Sequence, residues 1–199
     1  MKAGGVVVSG GGGSSSGSGA TFPLSHYGLL AASGDPIDFY AQSSLNNNNP
    51  FYTRIWVPAN TVITNLWCAC TLAGTHDGAT AGNRLGIYDD SGNLLDQTAS
   101  DNTLWTVAGW RGGALGAGPI AAQSNGRWVY GSIVAVGMTA SPAIAYPTGP
   151  ADFPFQYTGP GLTKRRTFYG NTSTFPATIN PNTGGTGTST GYTPLIAIN

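Results

Sequence analysis

The sequence predicts an all-β protein: an antiparallel β-sandwich or jelly roll with a flexible Gly/Ser-rich N-terminal arm. Three observations predict it. Charged residues make up 8% of the 199 residues, and no Glu occurs anywhere. An average soluble domain carries roughly 25% charged residues. Glu and Lys favour exposed helix faces, so a chain almost without them has little from which to build surface helices. Gly (31) and Pro (13) punctuate the sequence, which suits short strands joined by many turns. No long stretch repeats its apolar residues at helical spacing, whereas several short runs alternate at period two. Disorder is the competing reading of so much Gly, Ser and Asn, but 40% hydrophobic residues and five Trp supply a core.

Residues 1–20 read as the arm. Positions 9–19 contain only Gly and Ser, the composition of a flexible linker. Val6, Val7 and Val8 precede it, a β-prone patch able to add as a strand to a neighbouring subunit's sheet. Residues 21–50 read as an irregular connecting segment, with a turn at Gly34-Asp35-Pro36, a short strand at 37–40 and an Asn-rich loop at 46–49 before Pro50. The sandwich domain is expected over 51–199, loop-rich towards its C-terminal end.

Within that domain residues 52–57 read as a strand stopped by Pro58. Residues 61–72 read as a longer strand, with Val62, Thr64, Leu66, Cys68 and Cys70 on one face and Trp67, Ala69 and Thr71 on the other. A Gly/Asn/Asp loop follows over 73–83. Residues 84–88 and 94–98 form a hairpin around Asp89-Asp90-Ser91-Gly92-Asn93. Residues 104–110 fit a strand or one helical turn. The near-continuous apolar run at 127–136 is the candidate for the middle of the core, since a strand buried on both faces loses its alternation. Residues 194–198 read as a closing strand. Eight or so short strands with regular turns indicate a sandwich.

No residue cluster carries a catalytic pattern. Cys68 and Cys70 point to one face of a strand, with Cα atoms roughly 6.5–7 Å apart, at or beyond the reach of a disulfide. No second Cys pair exists to complete a zinc site, so both read as reduced core thiols. His26 and His76 are the only histidines, and His76-Asp77 reads as a turn and capping feature, there being no nucleophile-elbow motif. Asp89 to Asn93 lacks the spacing of a calcium loop and is what a hairpin turn requires. No pair stands out among eight Asp for glycoside chemistry. The expectation is a protein without catalytic residues, cofactor or metal, and not an enzyme.

Net charge is zero, and the only basic run, Lys164-Arg165-Arg166, is too short to hold a phosphate backbone, so nucleic acid is not an expected partner. That run reads as a solvated loop or an interface ion-pairing site. No apolar run approaches the ~20 residues that span a bilayer, and Met1-Lys2 runs into Gly-rich sequence without the apolar stretch of a secretory signal. Neither membrane insertion nor secretion is expected. A sparsely charged, neutral surface is protected from unwanted association when neighbouring subunits cover much of it. The five Trp are assigned to core packing by default. Tyr146, Phe153, Phe155 and Tyr157, in a Pro/Gly-rich region, are the first choice for a contact surface with a partner or receptor.

Three segments, FYTRIWVPANTVITNLWCACTLAGTHDGATAGNRLGIYDDSGNLLDQT, TLWTVAGWRGGAL and GPIAAQSNGRWVYGSIVAVG, carry a family pattern. They resemble β-sandwich domains in minor tail proteins of long-tailed bacteriophages, particularly those of actinobacteria. In that family an entry strand ends in a VPA turn. A strand ending in TAG, an LxLYDxxGxLLxxT hairpin and an apolar YVA-type strand follow. The resemblance covers roughly residues 28–140 and is one of strands and turns. It implies a virion component at the tail tip or fibre, assembled in the host cytoplasm with other virion proteins. It further implies a multimer with a role in baseplate architecture or host-surface recognition; the expected partners are other copies of the chain, a trimer first, and a host cell-surface glycan. It carries over no catalytic residue. A capsid decoration or head-fibre protein, and a carbohydrate-binding receptor module, share the same arm-plus-sandwich design.

Overall fold

The computed structural model describes residues 24–33, 41–146, 167–182 and 194–199. The arm residues Val6, Val7 and Val8, and the aromatic residues Phe153, Phe155 and Tyr157, lie outside the described residues.

Two antiparallel sheets form the body of the protein. The first runs β1 (Ala31–Ala32), β13 (Ile196–Ile198), β4 (Asn65–Leu72), β11 (Ala143–Tyr146), β2 (Ala41–Ser44), with β8 (Gly109–Ala114) on the other edge of β4. The second runs β12 (Thr167–Tyr169), β3 (Phe51–Val57), β9 (Arg127–Val134), β6 (Arg84–Asp89), β7 (Leu94–Gln97). A small ribbon joins β5 (Thr75–His76) to β10 (Met138–Ala140). One edge of β4 is shared end to end: β13 pairs with residues 66–68 and β11 with Cys70 and Leu72. The Leu195 N–H donates to the Ala145 carbonyl at 3.0 Å where those two strands meet.

The core lies between the sheets. Leu66, Cys68, Cys70, Ile144, Ile196 and Ile198 of the first sheet meet Phe51, Ile55, Leu85, Ile87, Val129 and Ile133 of the second, all buried. The sheets pack closely at Gly131, in the middle of β9. A Cβ there would stand 2.7 Å from Ile196 Cγ2 and 2.9 Å from Ile55 Cδ1. Trp105, fully buried, closes one end of this core, its indole N–H donating to the Val134 carbonyl at 3.0 Å. Buried Trp finds such a partner because an unpaired N–H inside the protein is costly.

The apolar run at 127–136 holds the position expected of it. β9 is the central strand of its sheet and is buried on both faces from Val129 onward. A second, smaller cluster on its far side contains Tyr52, Tyr88, Tyr130, Val134, Val136 and Phe175. The hairpin at Asp89 to Asn93 also forms as expected, with Gly92 at φ 92° where only Gly is unstrained.

Several sequence expectations give way. β1 and β2 pair into the first sheet, so part of the segment expected to be an irregular connection belongs to the sandwich. Such short strands of small residues carry too few positions for alternation to show. The regular strand at 61–72 starts only at Asn65. Val62 is 43% exposed while Ile63 is buried, because residues 61–64 leave the β4 parity and Ile63 bridges to Ile120 instead. Residues 104–110 resolve into turns before β8 begins at Gly109. Residues 75–76, expected within a loop, form β5. Of the five Trp assigned to the core only Trp105 is buried.

Candidate functional site

The outer face of the second sheet is an aromatic row. Phe51, Thr53, Ile55 and Val57 of β3 point into the core, which by strand alternation sends Tyr52, Arg54 and Trp56 outward. Trp56 is the direct cross-strand partner of Trp128, and Arg54 of Tyr130. At one end of the row the segment after β12 covers the sheet. Phe175 packs on Gly86, where a Cβ would stand 2.7 Å from the ring. It also meets Tyr88 edge-on at 6.3 Å between centroids. Tyr88 donates its hydroxyl to the Pro176 carbonyl at 3.0 Å and stands edge-to-face with Tyr52 at 5.5 Å. Burial pushes the Tyr52 phenol up to about 12.

Beyond that cover the row emerges into solvent. Trp56 is 47% and Trp128 40% exposed. Their rings lie 5.2 Å apart at 64°, edge to face, a favoured aromatic geometry. The Arg54 guanidinium stacks 4.5 Å from the Trp128 ring centroid and donates to Asp90 Oδ1 from Nη2 at 2.8 Å and from Nε at 3.1 Å. Trp128, Arg54 and Asp90 thus hold one another in place on the surface. The Trp56 ring lies directly on the backbone of Gly126, a contact that a Cβ would block.

These rings form one wall of an open cleft of ≈ 480 Å³ whose other walls are Asp89, Asp90, Ser91, Leu95, Gln123 and Arg127. The hairpin turn supplies the acids, and its own bonds fix it. Asp89 Oδ1 accepts from the Ser91 and Asn93 N–H groups at 2.9 and 2.8 Å, and its Oδ2 from Asn93 Nδ2 at 2.8 Å. Against a partial desolvation that works the other way, these donors hold the Asp89 carboxyl below its ordinary range. Arg127 donates to the Ala121 carbonyl at 3.1 Å, which steadies the opposite rim.

The first sheet has an outward pair of its own. Cys68 and Cys70 face the core, both free thiols, so Trp67 and Ala69 face outward. Trp110 of β8, the cross-strand partner of Ala69, is 40% exposed. Trp67 and Trp110 line a smaller hollow of ≈ 260 Å³ with Gly28, Leu29 and Asn199.

The remaining candidates resolve into structure. Asp77 accepts from the Ala79 and Thr80 N–H groups at 2.9 and 2.8 Å and from the Thr80 hydroxyl at 2.5 Å. His76 Nδ1 accepts from the Gly78 N–H at 2.8 Å, so Nε2 carries the proton and faces the Thr80 carbonyl at 2.9 Å. Both side chains are used in closing one turn. Among the described residues no group of three His, Cys or Asp side chains is placed to hold a metal. Tyr146 ends β11, half-buried opposite Ala41. Its three companions in the expected contact surface, Phe153, Phe155 and Tyr157, lie outside the described residues.

Sequence patterning alone does not reveal the exposed Trp56–Trp128 pair. Alternation along residues 51–57 already puts Trp56 beside Arg54 on the face opposite Ile55, but only the β3–β9 register brings Trp128 to it. No family model matches this chain, and a search of curated proteins finds no match.

Proposed function

We propose that this protein is a structural component of a bacteriophage virion. In this reading it is a minor tail protein of the tail tip or fibre that assembles with other virion subunits and contributes to host-surface attachment. The observation that carries the reading is the outward face of the first sheet. Trp110 stands 40% exposed there beside the half-buried Trp67, and both line the hollow at Gly28, Leu29 and Asn199. A surface of this kind, on a neutral chain with 8% charged residues, is what a subunit interface leaves behind when its partner is removed. The resemblance over roughly residues 28–140 adds the phage context, and its VPA turn and YDDSG hairpin fall at the end of β3 and between β6 and β7.

Mass spectrometry of purified particles, together with light scattering of the isolated protein, tests this reading. The expected results are the chain in intact particles, on the tail, and a homo-oligomer in solution, a trimer first. Trp110→Asp should lower the oligomer's stability without unfolding the sandwich. A head location would replace the tail reading with that of a capsid decoration protein, and absence from particles would overturn both.

A further inference from the structure

We infer that the Trp56–Trp128 cleft binds a neutral saccharide. Sugar rings present two chemistries at once: a face of C–H groups that packs on an aromatic ring, and a rim of hydroxyls that donate and accept hydrogen bonds. The cleft offers the complement of both. Two indole rings stand in solvent on a rigid sheet, while Asp89, Asp90, Gln123 and Arg127 surround them. A volume of ≈ 480 Å³ falls within the range of about 300–1,000 Å³ usual for small-ligand sites.

The rings are also organised beforehand. Trp56 and Trp128 are locked as cross-strand neighbours, and Arg54 is held on Trp128 by its ion pair with Asp90 at 2.8 Å. Binding therefore spends little conformational freedom at the surface that receives the ligand.

Charge and geometry choose among occupants. Asp90 is paired with Arg54 and Arg127 stands with Asp89 in the lining, so the formal charges around the cleft cancel and the site favours an uncharged ligand. A polyproline segment needs rings that stand apart to take a proline between them, but these two rings pack on each other at 5.2 Å. The inference stands on the cleft alone and does not depend on the virion reading. The absence of the chain from particles would leave it untouched, and failure to bind sugar would leave the virion reading untouched.

The test uses the full chain against an array of neutral oligosaccharides of glucose, galactose, mannose and arabinose, with a Pro-rich peptide and heparin as comparators. Hits are followed by calorimetry and intrinsic Trp fluorescence. The expected result is binding to a neutral oligosaccharide, weakened at least tenfold by Trp56→Ala and by Trp128→Ala and unchanged by Leu72→Ala at an exposed position of the other sheet. Gly126→Ala, which displaces the Trp56 ring, should weaken binding while leaving the urea midpoint near that of the parent. Urea unfolding of each variant separates lost binding from lost folding. The inference is overturned if no neutral oligosaccharide binds, if binding survives both Trp substitutions, or if only the peptide or heparin binds. It is equally overturned if Trp56→Ala converts an oligomer to a monomer, because the pair would then be a subunit contact.

Discussion

Replacing Ile196 by Ala removes three carbon groups from a side chain with no exposure at the centre of the sandwich. At about 0.8 kcal/mol per buried group the transfer loss is about 2.4 kcal/mol. The cavity left behind raises the expected destabilisation to about 3–4 kcal/mol. Gly131→Ala perturbs the same spot in the opposite sense, because its new methyl would sit 2.7 Å from Ile196 Cγ2 and 2.9 Å from Ile55 Cδ1. Overpacking of this kind costs about 1–3 kcal/mol. The two substitutions are complementary. With Ile196 shortened, the added methyl enters the vacated space, so the double variant should be more stable than the sum of the single losses predicts by at least about 1 kcal/mol. Equilibrium urea unfolding followed by Trp fluorescence measures all three. With a slope of about 2 kcal/mol per M, Ile196→Ala alone should lower the midpoint by about 1.5–2 M. Losses that add to within about 0.5 kcal/mol would refute the contact between β9 and β13 on which the packing of the two sheets rests.

Three further predictions concern groups placed around this core. Trp105→Phe keeps an aromatic ring but leaves the Val134 carbonyl without its 3.0 Å donor, and urea unfolding should report a loss of about 1–3 kcal/mol. The Thr80 hydroxyl, and then the Thr80 and Ala79 amides, hold the Asp77 carboxyl down to about 2. Its contribution to the turn is therefore full above the unfolded value of about 3.9 and is lost as pH falls through about 2. Carboxyl-detected NMR should find that titration near 2, and Thr80→Val should move it upward. Burial pushes both the Cys68 and the Cys70 thiols above their ordinary range. Labelling with a disulfide reagent should accordingly proceed only at the rate of global unfolding, and rapid reaction of either thiol in native buffer would contradict the inward β4 face.

The sequence made some elements plain because their signals are local. The 127–136 run announced a strand buried on both sides, and Asp89 to Asn93 announced a hairpin turn through its own Asx bonds and Gly92. The Cys68/Cys70 face followed from strand parity alone. Other features depend on register between strands far apart in the chain. Ile63 turns inward because Ile120 is there to pair with it, which nothing in residues 61–64 reveals. Likewise average behaviour assigns Trp to the core, whereas Trp56 and Trp128 stand on an outer face that, among the described residues, Phe175 covers at one end. The candidate cleft draws on β3, β6, β9, the hairpin turn and the loop before β9, so no single segment carries a motif for it.

The most direct test of the account is a reconstruction of the intact phage particle at side-chain detail. The sandwich is expected at the tail, with the Trp67–Trp110 face covered by a neighbouring subunit and the Trp56–Trp128 cleft open towards solvent. A particle whose density contains no copy of the chain would contradict the proposed function. A copy with the Trp67–Trp110 face bare and the Trp56–Trp128 cleft filled by another subunit would reverse the roles assigned to the two faces.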